Sequence, residues 1–85
     1  MIETMLVLST AHLRPRTCND WLRDAPFAVF DKGDYGWFVH VTDDEPEDLP
    51  SDLGDCFRLA RSSQCEWVMF DCDAATVPSL PLYAW

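Results

Sequence analysis

Positive charge is what this sequence has least of: six Lys and Arg stand against fifteen Asp and Glu, a formal net charge of −9. A surface that poor in cations repels phosphates, so direct binding to DNA, RNA or an anionic bilayer is not expected. Long hydrophobic runs are also missing, and nothing approaches the ~20 apolar residues that cross a bilayer. The stretch Met1 to Leu8 has no basic segment and too short an apolar run for a signal peptide. A cytoplasmic location and no membrane partner are therefore expected. Cysteine is present but not in metal spacing. Cys18, Cys56, Cys65 and Cys72 form no CxxC pair, and His12 and His40 lie far from them in sequence, so no zinc pattern exists. Reduced, mostly buried thiols are the expectation.

Catalytic signatures are absent too. There is no GxSxG, no P-loop and no dinucleotide fingerprint. A thiol–imidazole pair drawn from Cys65 or Cys72 with His40 or His12 has no spacing to support it. The expectation is a protein that is not an enzyme and has no cofactor.

What is present is enough for one folded domain. The chain has 85 residues, 48% hydrophobic and 13% aromatic, which is too rich in core-forming side chains for a disordered segment. Met5 to Leu8 reads as a buried strand. Thr17, with Asp20 three residues on, resembles a capping box and predicts a short helix from Cys18 to Asp24. Phe27–Phe30 and Trp37–Val41 flank a Gly-bearing loop and predict a hairpin. Leu53, Cys56, Phe57 and Ala60 form one apolar stripe on a helix capped by Ser51 and running to about Arg61. Trp67–Phe70 is a fourth strand. The expected class is α+β: a single domain over residues 1–85 in βαββαβ order, with an antiparallel sheet and two helices on one face. That order fits a ferredoxin-like domain.

The charge is unevenly placed. Residues 1–32 carry four acids and four bases, and residues 33–85 carry eleven acids and only Arg58 and Arg61. The densest stretch is Asp43, Asp44, Glu45, Glu47 and Asp48, followed by Asp52 and Asp55 at the opening of the second helix. If extended at ~3.3 Å per residue, the five acids from Asp43 to Asp48 span about 20 Å. That is about one charge per 4 Å, against ~3.4 Å along a DNA strand. A groove of Lys and Arg built for phosphates would attract such a surface. The plainer reading is a solvated loop followed by acids that complement a helix dipole. Metal binding is disfavoured because the ligand spacing of a calcium loop is missing, although Asp71 and Asp73 lie together after the last strand. Trp37, Phe38, Trp67 and Phe70 are expected in the core. Tyr35 and Trp21 are expected to be partly exposed. The tail to Tyr83 and Trp85 is expected to fold back over one face of the sheet.

Several segments together carry a resemblance: Leu8-Ser9-Thr10-Ala11-His12, Lys32-Gly33-Asp34-Tyr35-Gly36-Trp37-Phe38-Val39, Asp48-Leu49-Pro50-Ser51-Asp52-Leu53, Cys65-Glu66-Trp67 with Phe70-Asp71, and Leu80-Pro81 before Trp85. The chain resembles a family of small bacterial proteins of unknown function carried on plasmids and integrated mobile elements. The resemblance implies no catalytic residue. It implies the company of mobile DNA, where small acidic proteins similar in size and charge act as anti-CRISPR or anti-restriction inhibitors. The resulting expectation is an acidic DNA mimic whose partner is a basic protein surface, a CRISPR effector or another nucleic-acid-binding defence complex. Asp43, Asp44, Glu45, Glu47, Asp48, Asp52 and Asp55 would make the contact. The alternative is an acidic interaction module of a mobile element that binds a toxin or repressor.

Overall fold

The apolar run near the amino terminus forms strand β1 (Met5–Ser9) in the computed structural model, which covers residues 1–85. The Ser9 hydroxyl accepts the Ala11 N–H at 3.1 Å, turning the chain into a single 3-10 turn at Thr10–His12. Helix α1 follows at Pro15–Asn19, then a second 3-10 turn at Trp21–Asp24. The predicted helix from Cys18 to Asp24 is therefore displaced. Pro15 supplies a first-turn residue with a preset φ. Thr17 is not a cap, because it lies inside α1 with its hydroxyl turned to Asp52.

Strands β2 (Val29–Asp31) and β3 (Gly36–His40) form the expected hairpin. Gly36 has φ +155°, and a Cβ there would collide with the Phe70 carbonyl oxygen, so the Tyr-Gly-Trp segment needs glycine at this point. Helix α2 (Ser51–Ser62) begins one residue earlier than a Ser51 cap would allow. Pro50 occupies the cap position, without a side-chain bond. Strand β4 (Trp67–Asp71) completes the sheet.

The class is α+β, with strand order β1-β4-β3-β2. The sheet is mixed rather than antiparallel: β1 runs parallel to β4, and the β4–β3 and β3–β2 pairs are antiparallel. A ferredoxin-like order does not form, because β1 is an edge strand whose only neighbour is β4. Side-chain alternation specifies which face of a strand is buried, not which strand lies beside it.

Register sorts the side chains into two faces. Leu6, Val68, Val39 and Val29 make one inward row, and Leu8, Phe70 and Trp37 the next, which ends on β2 at exposed Asp31. Both helices cover this face. Cys18 and Leu22 come from the α1 region, and Leu53, Cys56, Phe57 and Ala60 from the stripe on α2. Burying a side chain the size of Phe57 or Phe70 contributes roughly 1.5–3 kcal/mol.

The tail docks through buried His12. The Val77 N–H donates to His12 Nε2 at 3.0 Å, so Nδ1 carries the proton and donates to the Pro81 carbonyl at 2.9 Å. The Tyr83 N–H donates to the Ala11 carbonyl, the Trp85 indole donates to the Leu13 carbonyl, and Arg14 lies over the Tyr83 ring. The tail thus packs on the turn after β1 and on the helical layer, with Leu80 in the core, instead of covering a face of the sheet. No helix is long and apolar enough to cross a membrane.

Candidate functional site

The acidic segment between β3 and α2 is bent, not extended. The Thr42 hydroxyl donates to the Asp44 carbonyl at 2.7 Å, and the Leu49 N–H donates to the Pro46 carbonyl at 3.2 Å. These bonds place Asp43 with Asp44 on one bend and Glu47 with Asp48 on a second turn. The acids therefore form two exposed pairs, and the even spacing of an extended strand is not present.

The seven predicted contact residues divide by their partners. Glu45, itself exposed, turns toward α2 and accepts from Arg61 at 3.1 Å and Arg58 at 3.4 Å. Asp55 pairs with Arg58 at 2.6 Å. Arg61 also donates to the Thr42 carbonyl, fixing the start of the loop to α2. Asp52 leaves the surface altogether. It is 1% exposed, accepts the Arg14 N–H at 2.7 Å and the Thr17 hydroxyl at 3.2 Å, and lies 3.7 Å from the Arg14 guanidinium. Helix α1 has no side-chain cap of its own, and this carboxylate from α2 provides one across the fold. Asp43, Asp44, Glu47 and Asp48 remain exposed and make no ion pair.

The other reactive groups have structural partners. Asp71 accepts from the Asp73 N–H at 2.9 Å and from Lys32 at 2.9 Å, and these bonds hold its carboxyl below the ordinary range. Asp71, Cys72 and Asp73 have ligand atoms within 4.8 Å of one another, but both Asp71 oxygens already accept hydrogen bonds, one from the Asp73 N–H and one from Lys32. The four cysteines are unpaired. Cys18 and Cys56 are buried, Cys65 is half-buried and Cys72 is exposed, so the expectation of mostly buried thiols holds for two of the four. Burial, with Asp52 and Asp55 nearby, pushes the Cys56 thiol up to about 12. Burial also raises Cys18, which keeps it a thiol at neutral pH rather than a nucleophilic thiolate. A cavity of about 350 Å³ beside Cys18 and Cys72 is lined by Arg23, Tyr35, Trp37 and Trp85.

The aromatic residues also separate by face. Trp37 and Phe70 point inward as expected, and the Trp37 indole donates to the Cys18 carbonyl at 2.9 Å. Phe38 and Trp67, expected in the core, point the other way. Trp67 meets Phe30 at 5.9 Å and His40 at 5.0 Å between ring centroids. Residues 36–40 and 67–71 alternate faces with period two, but both phases are apolar, so hydropathy alone gives no inward direction. Tyr35 is exposed and Trp21 half-buried, as expected, with Trp21 against Phe27 at 5.8 Å.

These features define a small mixed-sheet α+β domain with an acidic loop at one end. The chain belongs to the family described as "Family of unknown function (DUF5983) C-terminal domain", whose model matches residues 5–85. No curated protein and no solved structure matches it.

Proposed function

We propose that this chain is a non-enzymatic, acidic protein-binding domain that occupies a Lys- and Arg-lined groove built for nucleic acid. Its partner in this reading is a host nucleic-acid-directed defence complex of the CRISPR type. The carrying observation is the set of four exposed carboxylates without ion pairs, Asp43, Asp44, Glu47 and Asp48, on a loop anchored to α2 by Arg61. Holding like charges together without counter-ions costs free energy, and a basic partner relieves that repulsion. The mimicry rests on charge density rather than on a copy of phosphate spacing, since the acids lie in two pairs.

The test is competition. A guide-loaded CRISPR effector should lose target-DNA binding when the chain is added and regain it as salt rises. Reversing Asp43, Asp44, Glu47 and Asp48 to Lys should abolish the effect while circular dichroism stays unchanged. Inhibition that survives the reversal removes the loop from the account. A stoichiometric complex with a basic toxin or repressor, and none with defence complexes, would move the function to a mobile-element interaction module.

A further inference from the structure

The sheet has a second face that the fold leaves uncovered. Register places Val7, Met69, Phe38 and Phe30 in one outward row that crosses all four strands. Met5, Trp67 and His40 form the row beside it. Exposure is 42% at Met5, 47% at Val7 and 57% at Phe30, while the inward residues Leu8, Val39, Val68 and Phe70 are fully buried. A solvated face of a sheet normally alternates to polar residues. Here the rows stay apolar, and the largest apolar patch of a small domain is often a functional one.

Acids lie at both ends of this face. At the end where β3 finishes and β4 begins, Glu3 accepts from the Trp67 indole at 3.1 Å, and Glu66 accepts from the Thr4 N–H and hydroxyl at 2.7 Å. The acidic loop starts just beyond His40 at the same end. The Thr4 bonds hold the Glu66 carboxyl below its ordinary range. At the other end Asp71 pairs with Lys32 at 2.9 Å, and Asp34 and Asp73, on the turns beyond the strands, are exposed and make no ion pair. Strands of five residues put these ends about 16 Å apart.

We propose that this outward face docks a protein presenting an apolar patch bracketed by Lys or Arg. The partner's charge rests on the acidic-binding reading above. A second copy of this chain fits poorly. Acids at both ends meet acids in either orientation of a face-to-face pair. The area is also small: four strands at ~4.8 Å and five residues at ~3.3 Å make about 300 Å² per side. That is well under the ~800 Å² per partner of a stable interface, so contact must extend onto the acidic margins.

The test uses an 18-residue amphipathic Leu–Lys helix titrated into the isotope-labelled full chain, followed by amide and indole NMR. Two control peptides keep the pattern: Leu–Glu removes the positive charge, and Ser–Lys removes the apolar stripe. The expected result is shifts at Val7, Phe38, Met69 and the Trp67 indole with Leu–Lys alone. Phe30→Ser with Met69→Ser should weaken that binding at least tenfold. Shifts confined to residues 43–48 would overturn the outward face as the docking surface and leave the acidic reading standing. Equal binding of Leu–Glu to the face would overturn the basic partner and the acidic reading with it. A concentration-dependent dimer in sedimentation, with the same residues shifted, would overturn the proposal in favour of a second copy.

Discussion

Met69 and Phe70 are neighbours in β4, yet they belong to two different surfaces. Phe70 is fully buried beneath the helices, among Leu8, Val39 and Phe57. Met69 lies on the uncovered side between Val7 and Phe38. Both are apolar, so the difference comes from what covers each face and not from residue type. The inward face is closed by α1 and α2 and supplies the stability of the domain. The outward face has no helix over it. Phe38, Trp67 and Met69 are only half-buried there, and Val7 and Phe30 are exposed. In the proposal above, this face and the acidic loop serve contact.

The largest effect is expected at Phe70: Phe70→Ala opens a cavity under both helices and should cost ~3–5 kcal/mol in urea unfolding. For an 85-residue domain that is a large share of the total. Next comes Asp52, the acid that left the predicted surface. Asp52→Ala strands the Arg14 N–H and the Thr17 hydroxyl and should cost about 2–3 kcal/mol. The same change should leave binding by the folded chain unaltered, which a truly exposed contact residue would not do. An Asp52→Ala variant of native stability would contradict its capping role.

Much of the fold was legible in the sequence. The apolar stripe on α2, the hairpin around Gly33 and Gly36, and the four strands all lie within a few residues of where composition and spacing put them. The helix after β1 was misread because Thr17 looks like a cap, and only the tertiary contact with Asp52 shows where its hydroxyl goes. The parallel β1–β4 pairing left no local mark, since neighbours in a sheet are chosen by long-range packing. The candidate site was half legible. Acid density identified the loop, but the ion pairs of Glu45 and Asp55 depend on where Arg58 and Arg61 lie in space. The outward face was hidden by its own hydropathy. Phe38 and Trp67 look like core residues in any one-dimensional reading, and the register of β3 with β4 is what turns them outward.

The division between a face for folding and a face for contact is tested most directly by urea unfolding of the triple variant Val7→Thr, Phe30→Thr and Met69→Thr. Threonine keeps strand propensity while removing the apolar row. A native-like fold and a loss below ~2 kcal/mol for all three changes together are expected, less than for Phe70→Ala alone. A triple variant destabilised as much as Phe70→Ala, or one that fails to fold, would show the outward face to be part of the core and contradict the account.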